Sequence, residues 1–186
     1  MNYKNLYQLI VMVILSAQDS DKHINQIAPA FFEAFPDFAS IASKKPESLH
    51  PFLNTVLNFG NKCKWLHATA IKLAPAQISL KMEDLTALDG IGRKTANVIR
   101  REMAEPAEGI IVDLHVLRVS PRIGISQAKD ATKMEKDLMK AVSPALWNHL
   151  GMALSFLGRE ICRPTNPKCA GCIMKAHCQF FAGASK

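Results

Sequence analysis

Strand signal is what this sequence lacks most. Alternation of apolar and polar residues does not persist anywhere along its 186 residues. Hairpin dipeptides between β-branched runs are missing; Asp89-Gly90 is the one candidate, and its flanks are helical. Sheet-based folds are therefore excluded. Long hydrophobic runs are lacking too. Leu6 to Leu15 is a nearly continuous apolar run but too short to span a membrane. Lys4 precedes it, yet Ser16-Ala17-Gln18-Asp19 makes a poor cleavage site for an export signal. The run reads as a buried core helix. Repeats and low-complexity stretches are absent. Cysteine is sparse except in one place: four of the five lie between 162 and 178. That clustering excludes a disulfide framework spread along the chain, and it points to a metal site in a reducing compartment. Acidic residues number 16 against 23 basic ones, leaving a net charge of +7. Such an excess favours a polyanionic partner, nucleic acid first and an anionic membrane surface second. With 48% apolar and 21% charged residues the chain can bury a real core. Its length suits one domain or two small ones.

What remains is helix. Leu6, Ile10, Val13 and Ile14 share a helical face. Asp19 and Ser20 are suited to cap a second helix burying Ile24, Ile27 and Phe31, which Pro36 ends. A short helix runs through Ile41, and Pro46 starts another. A helix from about Asn61 to Leu73 buries Cys63, Leu66 and Ala70 and stops at Pro75. Glu83 to Leu88 is short and helical, Gly90-Ile91-Gly92 breaks it, and Arg93 to Met103 follows. Pro106 and Gly109 mark a joint. Asp113 opens a helix through Arg122, Asp130 caps one to Val142, and Ser143-Pro144 starts a last one ending near Ile161. The tail beyond Cys162 reads as loop held by cysteine. The fold class is all-α in two helical lobes: residues 1–107 as a helical barrel, residues 108–186 as a smaller lobe ending in the cysteine loop.

The segment Leu88-Asp89-Gly90-Ile91-Gly92-Arg93-Lys94-Thr95-Ala96-Asn97 is the most informative. Two glycines one residue apart permit a tight turn between helices and let a phosphate come close. The N–H groups that open the second helix then face an anion, favoured by the helix dipole. With no strand before it, this is not a nucleotide-binding loop. An ordinary helix corner capped by glycine would explain Gly-x-Gly alone. The whole string goes further: it resembles the helix-hairpin-helix motif, in the version of the endonuclease III family, Leu-Pro-Gly-Val-Gly-Arg-Lys-Thr-Ala-Asn-Val. Asp89 stands where proline is usual.

That resemblance implies a DNA-repair glycosylase with Lys94 as nucleophile. The chemistry is coherent: a neutral amine attacks C1′ of deoxyribose, forms a Schiff base and permits β-elimination of the 3′ phosphate. The positive end of the helix, Arg93 and partial burial would all favour the neutral amine. Nineteen residues on, Ile111-Val112-Asp113-Leu114-His115-Val116-Leu117-Arg118-Val119 resembles the family's Val-Asp-Thr-His-Val-x-Arg-Val, with Leu114 where threonine is common. Asp113 is then the carboxylate partner. It would take a proton from the amine or stabilise positive charge on the sugar. By itself an aspartate there is a helix cap. His115 reads as structural.

The spacing Cys162-x6-Cys169-x2-Cys172-x5-Cys178 suits one metal centre. Structural zinc and a [4Fe–4S] cluster are both compatible with it. The spacing equals the family's [4Fe–4S] pattern, and the resemblance implies that cluster. Arg163 and Lys168 in its first loop would meet DNA phosphates. Gly158-Arg159-x-x-Cys162 matches the approach to the cluster, with Met152 and Ala153 where the family pairs histidines and His149 displaced. Cys63 is left over and reads as buried.

A base must leave the stack before its glycosidic bond is cut, and side chains fill the gap. Leu15-Ser16-Ala17-Gln18 resembles the family's Leu-Ser-Ala-Gln, which makes Gln18 a gap-filler. Val56-Leu57-Asn58-Phe59-Gly60-Asn61-Lys62-Cys63 corresponds to Val-Gly-x-Tyr-x-x-Lys-Ala, with Leu57 at the glycine and Asn58 at the wedge. DNA contacts are thus expected from Gln18, Asn58, Gly90, Gly92, Arg93 and Lys168, with DNA lying across a cleft between the lobes. The implied protein is a cytoplasmic monomer, nucleoid-associated if bacterial. It removes damaged pyrimidines from double-stranded DNA and nicks abasic sites. A monofunctional glycosylase of other base preference and a non-catalytic DNA-binding module are the alternatives.

Overall fold

The computed structural model describes residues 1–75 and 77–184. Among them every regular element is helical. The chain divides into two compact units, Met1–Glu105 and Pro106–Lys186.

The first unit is organised on α1 (Leu6–Leu15). Leu9, Ile10, Val11, Met12, Val13, Ile14 and Leu15 are all buried, so this helix is apolar on every side because every side is covered. Around it lie α2 (Asp21–Ala34), α3 (Phe38–Ala42), α4 (His50–Leu53), α5 (Phe59–Leu73), α6 (Met82–Thr86) and α7 (Arg93–Glu102). Caps fix the helix starts. The Asn5 side chain accepts from the Gln8 N–H, Ser20 accepts from the His23 N–H, and Asp37 and Ser40 form a reciprocal capping box. One end of the core is aromatic: Tyr7 meets Phe38 edge-on at 4.8 Å, and Phe31 and Phe52 pack on Phe35. The Tyr7 hydroxyl donates to the Phe35 carbonyl. Cys63 is fully buried, and burial pushes its thiol up to about 11. It is an inert core residue, as its helical face suggested.

The second unit packs α8 (Leu114–Ile123) on α10 (Trp147–Glu160), with α9 (Ala131–Ala141) and α11 (Gln179–Ala184) completing it. Val116, Val119, Ile123, Met134, Leu138 and Leu154 form its core. Two glycines set how close α10 comes. A Cβ at Gly151 would lie 2.3 Å from the Ile111 carbonyl oxygen, and one at Gly158 would lie 2.8 Å from the His115 Cβ. Gly124 closes α8 in the left-handed region, at φ +94°, where glycine is the default residue. Gln179 of α11 packs against that cap.

Several boundaries differ from the sequence reading. The tail beyond Cys162 is not plain loop: 3₁₀ turns cover Cys169–Gly171 and Lys175–His177, and α11 follows. The segment from Pro46 begins as a 3₁₀ turn before α4, and the final long helix begins as one at Pro144–Leu146. In both, proline occupies the first position, where its missing N–H costs nothing. The helix expected from Asn61 starts two residues earlier, at Phe59, because Asn58 adopts the left-handed conformation and breaks the chain there.

Candidate functional site

The turn between α6 and α7 gives its two glycines different work. Gly90 has φ +80°, and a Cβ there would come within 3.0 Å of the Trp65 ring. The protein's own backbone and packing require glycine at that position. Gly92 has an ordinary φ of −87°. A Cβ added to it would meet nothing within 4 Å. Gly92 is the N-cap of α7, no side chain caps that end, and its first turn holds no acidic residue. The first-turn N–H groups and the positive end of the dipole are therefore presented to an outside anion over an open glycine. The turn itself is braced from behind. Lys72 Nζ donates to the Ala87 carbonyl and to Asp89 Oδ2, and Ile91 is buried.

Lys94 stands in the first turn of α7 and is exposed, as is Arg93 before it. Partial burial of Lys94 was expected from the sequence and is not found. The next residues inward, Ala96 and Asn97, are the buried ones, so the helix turns position 94 outward.

Asp113 belongs to the second unit and is the N-cap of α8. Its Oδ1 accepts from the backbone N–H of His115 at 2.8 Å and of Val116 at 2.9 Å. Its Oδ2 accepts from the Ser155 hydroxyl at 2.6 Å, and Arg159 Nη2 lies 3.7 Å away. Burial pushes this carboxyl up. The Ser155 hydroxyl, the Val116 N–H, the His115 ring and the His115 N–H pull it down, and the net result is a group held below its ordinary value. Ser155 escaped the sequence reading. Its signal is the string Gly151-x3-Ser155-x2-Gly158, which puts three small residues on one face of α10 and brings that face onto the start of α8. The structural reading of His115 agrees with its contact: its Nδ1 meets Arg118 Nη2 at 3.0 Å. Arg118 also donates to the carbonyls of Gly158 and Cys162, tying α8 to the end of α10.

Gln18 and Asn58 lie on neighbouring loops of the first unit. Both are exposed, and both are non-glycine residues at positive φ, +61° and +59°. Such conformations are uncommon and concentrate at functional sites. Asp19 joins the loops: its carboxylate accepts from the Leu57 N–H at 3.1 Å.

Cys162, Cys169, Cys172 and Cys178 line one small pocket together with Ile123, Leu157 and Phe180. The donor set is wholly thiol, suited to a soft metal or an iron–sulfur cluster. No group of three or more His, Cys, Asp or Glu side chains among the described residues closes to single-ion spacing. Arg122, which the sequence reading passed over, organises this loop. Its Nη1 donates to Cys162 Sγ at 3.4 Å and to the Arg163 carbonyl, its carbonyl accepts from the Cys178 thiol, and its guanidinium lies 4.6 Å from the Phe180 ring centroid. Arg122 thus sets a fixed cation against the cysteine loop. Lys168 is exposed at the edge of the same loop.

Helices α6 and α7 with their two-glycine turn form a helix-hairpin-helix, so the fold and this turn define a nucleic-acid-binding protein of that class. Residues 11–144 match the HhH-GPD superfamily of base excision DNA repair proteins. Endonuclease III of Synechocystis sp. is 32% identical over 181 residues, spanning 96% of this chain and 83% of that protein. Endonuclease III of Rickettsia prowazekii is 32% identical over 183 residues, spanning 96% of this chain and 85% of that protein. The fold superimposes on a trapped endonuclease III–DNA covalent intermediate with a TM-score of 0.87 at 27% identity, covering 100% of this chain and 89% of that one. The chain belongs to the HhH-GPD superfamily of base excision DNA repair proteins, in its endonuclease III branch. No helix among the described residues is long and apolar enough to cross a membrane.

Proposed function

We propose that this base-excision DNA glycosylase and abasic-site lyase attacks damaged pyrimidine nucleotides of double-stranded DNA with the amine of Lys94, assisted by the carboxylate of Asp113. The observation that carries this reading is Lys94 itself: an exposed amine in the first turn of an uncapped helix, two residues after an open glycine. A phosphate drawn to that helix end brings its own sugar to the amine.

The amine lone pair attacks C1′, and the C1′–N bond to the base breaks with the electron pair leaving on the base. The sugar ring opens to an imine. Loss of a proton from C2′ then expels the 3′ phosphate from C3′, and water releases the lysine. Asp113, held ionised by its donors, accepts the proton that the amine must lose and faces the positive charge that develops on the sugar. A covalent endonuclease III–DNA intermediate has been trapped in the similar protein, which supports the same route here.

Gly90, Gly92 and Arg93 would hold phosphate at the hairpin, Lys168 would do so at the cysteine loop, and Gln18 and the loop that carries Asn58 would act at the vacated base position. Cys162, Cys169, Cys172 and Cys178 would hold a [4Fe–4S] cluster. Four cysteines lining one pocket, a wholly thiol donor set, support that reading. Its part is to fix the loop that meets DNA. The reading places the protein in the cytoplasm, acting as a monomer.

Borohydride trapping on duplexes carrying thymine glycol or an abasic site tests the mechanism. A covalent adduct is expected with the native chain and none with Lys94→Ala. No adduct from native protein that still binds DNA would favour a monofunctional glycosylase or a binding module instead.

A further inference from the structure

The loop that precedes α5 departs from the family pattern at two adjacent positions, Leu57 and Asn58, and the structure gives the two very different surroundings. Asn58, at the expected wedge position, is turned back on its own helix: its Oδ1 accepts from Asn61 Nδ2 at 2.9 Å. Leu57 is 56% exposed, a large apolar side chain standing out of a polar loop. Its backbone is nevertheless fixed, because its N–H donates to Asp19 Oδ2.

Asp19 sits immediately after Gln18. Besides Leu57 it accepts from the Ser20 N–H at 2.7 Å and from His23 Nδ1 at 2.9 Å. The far nitrogen of that ring, His23 Nε2, lies 3.1 Å from the Thr55 hydroxyl, on the same loop as Leu57. From below, the buried Lys62 donates to the Leu15 carbonyl at 2.7 Å and lies within electrostatic reach of Asp19. A lone carboxylate on a DNA-facing loop would repel phosphate. Here its charge is taken up by an imidazole, two amides and a nearby ammonium.

We infer that Leu57, not Asn58, is the apolar wedge that fills the stack when a base is extruded, and that Asp19 is the positioning residue that locks Leu57 and Gln18 into one two-pronged unit. The inference rests on the glycosylase reading above. An apolar side chain inserted between base steps offsets the cost of unstacking, and it does so best if it is rigid before contact. Gln18 supplies the polar prong, able to pair with the base left opposite. The clamp explains how two strained, exposed loops hold one relative position: they are cross-linked through Asp19 and through His23.

The test compares two reactions of one preparation: excision of thymine glycol from a fully paired duplex, and lyase cleavage of a preformed abasic site, which has no base to extrude. In Leu57→Ala the ratio of excision to lyase rate is expected to fall about tenfold, the loss of roughly two buried methylenes. In Asn58→Ala the ratio is expected to fall less than in Leu57→Ala. Leu57 is exposed, so the variant folds, and its melting temperature checks this. Asp19→Ala is expected to lower excision from the paired duplex while losing much less on single-stranded substrate, where extrusion is not needed. A merely structural defect would lower both alike. An unchanged ratio in Leu57→Ala, or a ratio that falls as far or further in Asn58→Ala, overturns the wedge assignment. Equal losses on both substrates for Asp19→Ala overturn the clamp. Absence of excision by the native protein would overturn the glycosylase reading itself, a separate outcome.

Discussion

Asp113 keeps its charge in a place that disfavours charge. Burial acts first and raises the carboxyl, and four donors or positive neighbours, led by the Ser155 hydroxyl, bring it below its ordinary value. A carboxyl lowered in the folded state contributes stability that is complete above its unfolded pKa and is lost as pH falls through the folded value. Ser155→Ala removes the strongest of these donors. It is expected to cost about 1.5–3 kcal/mol, the range for a hydrogen bond to a charged group. It also moves the folded carboxyl upward, so acid unfolding begins at a higher pH. If Asp113 must be ionised for lyase turnover, the acid limb of the rate profile moves up with it. Thermal melts over an acid series and a pH–rate profile, native against variant, read both. Unmoved melts and an unmoved limb would show that Ser155 does not hold the carboxylate.

At the scale of elements, the α6–α7 hairpin separates what folding needs from what binding needs. Gly90→Ala puts a Cβ at positive φ and against Trp65, and is expected to destabilise the protein by about 1–2 kcal/mol from the backbone alone. Gly92→Ala meets nothing in the protein. It should leave the melting temperature near native and weaken DNA binding by crowding the phosphate. Melting curves and a DNA titration on the two variants check this, and a Gly92→Ala protein that binds normally would remove the phosphate from that turn. This hairpin was fully legible in the sequence, since glycine spacing is a local signal. So was α1, because a run covered on all sides has no polar face to hide it. What could not be read depends on contacts distant in sequence. Ser155 matters only because Gly151 and Gly158 let α10 approach α8. Arg122 matters only because the cysteine loop folds back over it. The outward direction of Lys94 follows from which face of α7 is buried, and the string around it does not state that. Proline is not a boundary everywhere: Pro29 and Pro121 lie inside α2 and α8, as the sequence reading had them, where their neighbours' packing outweighs one lost hydrogen bond.

At the scale of the whole molecule, a net charge of +7 predicts a binding equilibrium dominated by counterion release. Affinity for duplex DNA is expected to fall by roughly 10³-fold between about 50 and about 200 mM salt, with log K linear in log salt. A filter-binding series over that range measures the slope, and a flat line would remove the basic surface from the interface. One further consequence belongs to the second unit. Helix α8 carries Asp113 at its first end and Arg122, which grips the cysteine loop, at its last. Ten residues make a rod about 15 Å long. A lever of that length turns a slack of about four degrees at the anchored end into about 1 Å at the free end, a displacement that can cost roughly a hundredfold in rate. On the mechanism proposed for Asp113, the firmness with which the cysteine loop is held would thus set the aiming error of a carboxylate that no sulfur touches.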